Sequence, residues 1–217
     1  MNLNSKAKRI LCYGDSNTLG WVPFSMGNKR YSIESRWPGI LQKKLGDKYE
    51  VIEEGLGART TMFDDPRPEF PARNGLKSLP AILESHLPLD FVIFMLGTTD
   101  TKEMLGLDSK KITEGMQSLV KTVKTFRTLE NTLSPKILVI FPPIVEEEAD
   151  FASKLFKGAT VKTKELVESY KILAKEEGVL YLDPTKDVKV DEKDGVHIDS
   201  ENHRKLAGLV CKIVLET

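Results

Sequence analysis

Short apolar runs alternate with longer segments of helical periodicity along this chain. The apolar runs are Ile10–Tyr13, Val51–Ile52, Phe91–Leu96, Ile137–Phe141 and Val179–Leu182. The runs at 91–96 and 137–141 do not alternate with polar residues, which is typical of strands covered on both faces in a parallel sheet. The pattern therefore predicts a five-stranded parallel sheet with helices on both sides.

Three further segments place their apolar residues on one helical stripe, which predicts helices over 109–128, 161–177 and about 200–215. The stripes comprise Ile112, Met116, Leu119, Val120, Val123 and Phe126; then Leu166, Val167, Tyr170, Leu173 and Ala174; then Leu206, Leu209, Val210, Ile213 and Val214. Gly178 is placed to end the second helix, and either Asp199 or Ser200 could cap the third. Alternating strands and helices indicate a doubly wound α/β fold, a three-layer α/β/α arrangement with right-handed crossovers.

Length, charge and cysteine usage narrow the class of protein. The 217 residues are most simply one domain over 1–217, although two small domains would fit the length, and no repeat or linker is visible. The 32 basic and 32 acidic residues balance, which gives no indication of nucleic acid or a membrane surface as partner. Cys12 and Cys211 lie in apolar segments and are expected to be buried thiols. The apolar run after the basic N-terminus is too short for a signal peptide or a membrane span, so we expect a cytoplasmic protein.

The candidate chemistry is a serine, a histidine and an aspartate at the two ends of the chain. Gly14-Asp15-Ser16-Asn17-Thr18-Leu19-Gly20 follows the first strand, and Asp194-Gly195-Val196-His197 lies far downstream. A serine hydroxyl is a weak nucleophile until a base accepts its proton and a carboxylate orients that base. Ser16, His197 and Asp194 supply these three parts, so the sequence predicts a cofactor-free serine hydrolase.

The other polar residues near these motifs are expected to have structural roles. Asp15 is expected to brace the turn beneath the serine. His86, at a predicted helix end, and His203, in the last helix, are expected to be structural or exposed. Three histidines without ligand spacing argue against a metal site.

Four sequence blocks resemble those of the SGNH (GDSL-type) hydrolases. They are Gly14-Asp15-Ser16-Asn17, Gly55-Leu56-Gly57-Ala58, Gly97-Thr98-Thr99-Asp100 and Asp194-Gly195-Val196-His197. They occur in the family's order and span nearly the whole chain, which is most similar to the bacterial arylesterase and acyltransferase branch. The resemblance implies a flavodoxin-like SGNH hydrolase fold and a carboxylic-ester hydrolase with a Ser16–His197–Asp194 triad. It also implies small esters as substrates, with water or an alcohol as acyl acceptor.

The resemblance also implies three oxyanion-hole donors, and the third departs from the family pattern. The backbone N–H groups of Ser16 and Ala58 match the first two. Thr99 stands where the family has asparagine, and its hydroxyl is a shorter donor than the asparagine amide. Losing one such donor costs a factor of about 10² to 10³ in turnover, so we expect a slower enzyme or a shifted substrate.

Several residues outside the blocks are candidates for the pocket. Trp21, which follows the nucleophile turn, and Ile144 and Phe151, which follow the fourth strand, are predicted to contact substrate, with ordinary packing as the alternative. The excursion 63–75 contains Asp64-Asp65-Pro66-Arg67-Pro68-Glu69-Phe70-Pro71 and is long for a structureless loop. We expect it to narrow the pocket mouth and to pack against another subunit of a homo-oligomer.

Two other functions fit parts of the sequence. A flavodoxin-like binding module would use the turn after the first strand to hold a phosphate or nucleotide, without needing the Asp194–His197 pair. A catalytically silent relative would explain Thr99. Covalent labelling of Ser16 by a fluorophosphonate separates the esterase from both.

Overall fold

The computed structural model describes residues 3–25, 29–127 and 135–217. Within these ranges five parallel strands form one sheet in the order β2-β1-β3-β4-β5. They are β1 (Lys8–Gly14), β2 (Tyr49–Gly55), β3 (Phe91–Met95), β4 (Lys136–Ile140) and β5 (Leu180–Leu182). The predicted α/β fold is confirmed. β2 extends beyond the predicted apolar pair 51–52 on both sides. The strand is longer than its apolar run because the polar residues that flank the pair are half-buried.

Six α-helices accompany the sheet in the described ranges. They are α1 (Ser16–Leu19), α2 (Trp37–Leu45), α3 (Gly75–Ser85), α4 (Ser109–Thr125), α5 (Ala159–Glu176) and α6 (Ser200–Glu216). The predicted helix 109–128 ends at Thr125, with Phe126 as its C-cap, and Thr128 lies outside the described residues. Asp199 is the N-cap of α6, where its side chain accepts a hydrogen bond from the Asn202 N–H.

The core lies on both faces of the sheet, as the non-alternating strands predict. Leu11 and Tyr13 of β1 face a cluster completed by α3, α4 and α5. Ile10 and Cys12 face the opposite cluster, which α2 and α6 complete. Both cysteines are free and buried, as expected. Among the described residues, no helix combines the length and apolarity that crossing a lipid bilayer requires.

Strand order determines where a site can form. β1 has β2 on one side and β3 on the other, so the connections from β1 and from β3 leave on opposite sides of a topological switch point. In parallel sheets a crevice opens there, beyond the carboxyl ends of the strands. The turns after β1, β2 and β3 all reach this crevice, and each contains one of the sequence blocks described above.

Candidate active site

The turn that presents Ser16 is held in a tight geometry. β1 ends at Gly14 and α1 begins at Ser16, while the Asp15 Oδ1 accepts a hydrogen bond of 2.9 Å from the Asn17 N–H. A side chain at position 14 would bring its Cβ to 2.0 Å from the Thr18 Oγ1, so glycine is required there. Asp15 braces the turn, as predicted, and its burial raises its pKa to about 7.

Asp194 and His197 form one compact loop between β5 and α6. The Asp194 Oδ1 accepts hydrogen bonds from the backbone N–H of Val196 (3.1 Å) and of His197 (2.8 Å). The same oxygen lies 2.8 Å from the His197 Nδ1. Burial by itself would raise the pKa of Asp194, but the hydrogen bonds and charge interaction with His197 outweigh it, so the pKa lies below its ordinary value. Asp194 is therefore a carboxylate at neutral pH.

Folding brings this loop to the serine from 181 positions away. The His197 Nε2 lies 3.1 Å from the Ser16 Oγ, within hydrogen-bonding distance. One ring nitrogen of His197 thus faces the hydroxyl while the other faces the Asp194 carboxylate. This geometry suits proton transfer from the hydroxyl to an oriented imidazole.

Two aromatic side chains hold the imidazole ring. Trp21 stacks on His197 with ring centroids 5.2 Å apart and planes 11° from parallel. Phe151 approaches the same ring at 5.6 Å, tilted by 45°. Trp21 and Phe151 therefore contact the imidazole as well as lining the adjoining cavity, and they restrict its rotation.

Asn17 links the serine turn to the histidine loop, a role that sequence reasoning missed. Its Nδ2 donates to the Val196 carbonyl oxygen over 3.2 Å, and its Oδ1 accepts from the Ile198 N–H over 3.0 Å. These two bonds fix the backbone on either side of His197. Asn17 is almost fully buried. Its position next to Ser16 was visible in the sequence, but its long-range partners were not.

The loops after β2 and β3 are fastened beside the serine by buried polar groups. The Arg59 Nη1 donates to the carbonyl oxygens of Gly14 (2.9 Å) and Glu54, which holds the neighbouring Ala58 near the end of β1. Ala58 has a positive φ of 62°, a conformation uncommon for a residue with a side chain. The Asp100 carboxylate accepts from the N–H of Thr61 at 3.0 and 3.1 Å and from its Oγ1 at 2.5 Å. Burial raises the pKa of Asp100 to about 6.

A cavity of about 520 Å³ opens in front of Ser16 and His197. Ala58, Thr99, Trp21 and Phe151 line it, but Ile144 does not, and we do not count Ile144 among the substrate-binding residues. The excursion 63–75, which the sequence analysis expects at the pocket mouth, contributes Arg67, Phe70 and Arg73 to the wall. Sequence reasoning missed Lys102, which follows β3 and also lines the cavity.

The other histidines lie apart from this cavity. His86 is the C-cap of α3, and its Nε2 lies 2.9 Å from the Glu54 Oε1. His203 is fully buried, its Nδ1 accepts from the Trp37 N–H over 3.2 Å, and burial lowers its pKa to about 3. Across the described ranges, no group of three or more histidine, cysteine or acidic side chains is arranged to bind a metal ion.

Comparisons with known proteins identify the family and the fold. The model of the GDSL-like Lipase/Acylhydrolase family matches residues 12–205. An aryl esterase from M. smegmatis, solved with a bound inhibitor, is 41% identical, with 97% of this chain and 99% of that one covered and a TM-score of 0.89. Est24, a carbohydrate acetylesterase from Sinorhizobium meliloti, is 38% identical, with coverages of 96% and 99% and a TM-score of 0.89. A putative arylesterase from Agrobacterium tumefaciens is 33% identical, with coverages of 96% and 99% and a TM-score of 0.87. No curated protein sequence gives a significant match.

Proposed function

The chain belongs to the GDSL-like lipase/acylhydrolase family and is a serine esterase, and we propose that Ser16, His197 and Asp194 are its catalytic triad. The observation that carries this proposal is the continuous contact from the Ser16 Oγ to the His197 Nε2 (3.1 Å) and from the His197 Nδ1 to the Asp194 Oδ1 (2.8 Å). The flanking rings of Trp21 and Phe151 keep the imidazole in line with both partners.

In the first half of the reaction the enzyme is acylated. The Ser16 Oγ attacks the ester carbonyl carbon as the His197 Nε2 accepts the hydroxyl proton. The Asp194 carboxylate holds the Nδ1–H and stabilises the imidazolium that forms. Because the hydrogen bonds from His197 keep the Asp194 pKa low, the carboxylate stays charged throughout. The imidazolium then gives its proton to the leaving alcohol, and the C–O bond of the ester breaks.

The tetrahedral intermediate carries a negative oxygen that needs donors in fixed positions. The backbone N–H groups of Ser16 and Ala58 are the donors we propose, and Ala58 is held by its left-handed conformation and by Arg59. Thr99 lines the same cavity after β3 and is our third donor. Its hydroxyl reaches less far than an amide, so it contributes through a longer contact or a bridging water.

In the second half an acceptor attacks the acyl-enzyme. Water gives the free acid, and an alcohol gives a new ester by acyl transfer. The aromatic walls formed by Trp21, Phe151 and Phe156 offer an apolar surface on which an organic alcohol competes with water. We therefore include acyl transfer in the proposed activity. The acyl donors are small esters, in keeping with the size of the cavity and with the aryl esterase and carbohydrate acetylesterase among the relatives.

Covalent labelling tests the triad. A fluorophosphonate probe should modify Ser16 in the folded protein, and mass spectrometry of the peptide should place the adduct there. Ser16→Ala should abolish both labelling and ester hydrolysis, while Asp194→Asn should slow both by several orders of magnitude because the imidazole loses its orientation. Absence of labelling in folded protein would favour a binding module or a catalytically silent relative instead.

The proposed function also includes an oligomeric state and a cellular location. We propose a cytoplasmic homo-oligomer in which the excursion 63–75 contacts a second subunit while still lining the cavity of its own chain. Light scattering coupled to size exclusion at micromolar concentration measures the assembly, and a monomeric mass would exclude it. Cell fractionation with an antibody to the protein measures the location, and recovery with the membranes or the medium would exclude the cytoplasm.

A further inference from the structure

Among the described residues, two arginine side chains and one lysine side chain line the active-site cavity. Arg67 and Arg73 reach it from the excursion 63–75, and Lys102 reaches it from the turn after β3. No aspartate or glutamate is among the lining residues in that part of the chain. A bound ligand therefore meets positive charge beside a wall that is otherwise largely apolar, in the same cavity as Ser16 and His197.

The carboxylates that offset these cations lie behind the wall. The Asp65 side chain is fully buried and receives two hydrogen bonds from the Arg67 guanidinium, at 2.8 Å from Nε and 2.5 Å from Nη2, and one from the Arg67 backbone N–H at 3.1 Å. It lies 3.8 Å from the Lys102 Nζ, which is too long for a hydrogen bond. Asp15 and Asp100 also attract Lys102, but both are buried and neither lines the cavity. These carboxylates fix the excursion without covering the cavity side of the cations.

Lys102 and Arg73 have donor capacity that this network does not use. The Lys102 side chain is only 7% exposed, and burial lowers its pKa to about 8, with the charge of Arg67 as the next cause. Arg73 has no carboxylate within 4.0 Å among the described residues. Its Nη1 donates to the Pro71 carbonyl oxygen at 2.6 Å, and its buried Nε has no hydrogen-bond partner. A purely structural role in holding Asp65 explains Arg67 but does not explain Arg73.

Aromatic rings hold the cations in place. The Arg67 guanidinium carbon lies 3.9 Å from the centre of the Phe70 ring, and that of Arg73 lies 5.3 Å from it. The Lys102 Nζ lies 5.9 Å from the Phe156 ring centre. Such contacts limit side-chain motion and keep water from one side of each cation, which strengthens its attraction for an anion.

We propose that this wall selects esters that carry a carboxylate away from the scissile bond, bound by Arg73 and Lys102 with Arg67 beside them. The inference rests on the proposed esterase function and adds a substrate class to it. An anionic substrate would supply the counter-charge that these desolvated cations lack on the cavity side. The carboxylate belongs to either the acyl or the alcohol part of the ester, and the assay below separates the two.

Two matched substrate pairs test the proposal at low ionic strength. The acyl pair is the phenyl monoester of glutaric acid and the same ester with its free carboxylate replaced by a carboxamide. The alcohol pair is 4-acetoxybenzoate and 4-acetoxybenzamide. In at least one pair we expect kcat/KM for the anion to exceed that for the amide about fivefold or more, mainly through KM. Added salt should reduce that ratio, because it screens the charges.

Variants then assign the preference to the wall. Arg73→Gln and Lys102→Gln should each lower the anion-to-amide ratio at least threefold, whereas Arg73→Lys should retain it. Lys77→Gln is the matched control, because Lys77 pairs with Asp64 at 2.7 Å on the exposed side of the excursion and does not line the cavity. Its ratio should not change. Arg73→Gln leaves Asp65 and its partners intact, so it remains informative even if Lys102→Gln fails to fold.

Defined outcomes overturn the proposal. A ratio below fivefold in both pairs, or a preference that survives both Arg73→Gln and Lys102→Gln, would assign the wall a structural role only. If the neutral esters and the fluorophosphonate still react, the esterase function stands and only the carboxylate selectivity falls. If neither the esters nor the probe reacts with wild-type protein, both fall together.

Discussion

Replacing Asn17 by alanine tests whether the active site depends on one amide that joins its two halves. Asn17 donates to the Val196 carbonyl oxygen (3.2 Å) and accepts from the Ile198 N–H (3.0 Å), one residue before and one after His197. Alanine removes both bonds and leaves two buried backbone groups without their partner. The backbone that carries the imidazole then loses its direct tether to the serine turn.

The expected size of the effect follows from those two groups. Each buried polar group left without a partner costs about 1–3 kcal/mol, so for two groups we expect the free energy of unfolding to fall by about 2–6 kcal/mol. A displacement of about 1 Å in a catalytic group costs on the order of 10²-fold in rate. Because the hydrogen bonds to Asp194 and the rings of Trp21 and Phe151 still restrain His197, we expect kcat/KM to fall about 10- to 100-fold.

The assay compares Asn17→Ala with Gln42→Ala. Gln42 of α2 also bridges backbone groups through its amide, at 2.7 Å from the Val51 N–H and 3.0 Å from the Tyr49 oxygen, but these groups are at the start of β2, at the end of the strands opposite the crevice. Both variants should be less stable in urea unfolding. Only Asn17→Ala should slow ester hydrolysis and fluorophosphonate labelling under conditions where both are folded. Equal rates for Asn17→Ala and wild type would refute a positioning role and leave a purely structural one.

Three further substitutions have expected outcomes. Thr99→Asn should raise kcat for small esters by about tenfold or more, because an amide donor is worth a factor of about 10² when fully placed; unchanged hydrolysis would argue against an oxyanion role at position 99. Asp15→Asn should reduce the pH dependence of the free energy of unfolding between about pH 4 and 7. Burial raises the Asp15 pKa to about 7, so the wild type loses stability as the pH rises through that range. Urea unfolding at several pH values measures the slope. His203→Gln should reduce the loss of stability on acidification from about pH 6.5 towards 3, because burial lowers the His203 pKa to about 3 and the unfolded chain takes up the proton first; an unchanged acid limb would show that His203 is not the group responsible.

Much of the fold could be predicted because its core strands are apolar on both faces. The runs in β3 and β4 are almost wholly buried, and no polar residue interrupts them. α2 and α3 were harder to predict from the sequence. α2 contains Pro38 in its first turn, and α3 contains Pro80 in its interior, so neither has an uninterrupted helical pattern. Their stability comes from packing against the sheet, which a local pattern does not show.

Some residues of the candidate site can likewise be predicted from their neighbours in sequence, whereas others depend on contacts with distant parts of the chain. Ser16, Asp194 and His197 are recognisable because their neighbours in sequence form distinctive turns. Asn17 and Lys102 are not recognisable in the sequence, because the groups that they contact lie far away along the chain. Ile144 is a half-buried apolar residue after β4 that is not among the residues lining the cavity, so its apolarity after a strand did not identify a cavity residue.

The distance along the chain between Ser16 and His197 has a consequence for protein synthesis. A ribosome adds the serine early and the imidazole 181 residues later, so a nascent chain carries an unactivated hydroxyl for most of its translation. If Ser16, His197 and Asp194 form the proposed triad, an ester would meet no competent nucleophile until the loop before α6 has emerged and docked. An organophosphorus titrant consequently counts finished molecules only, and the adduct yield reports the fraction of a preparation that has completed folding.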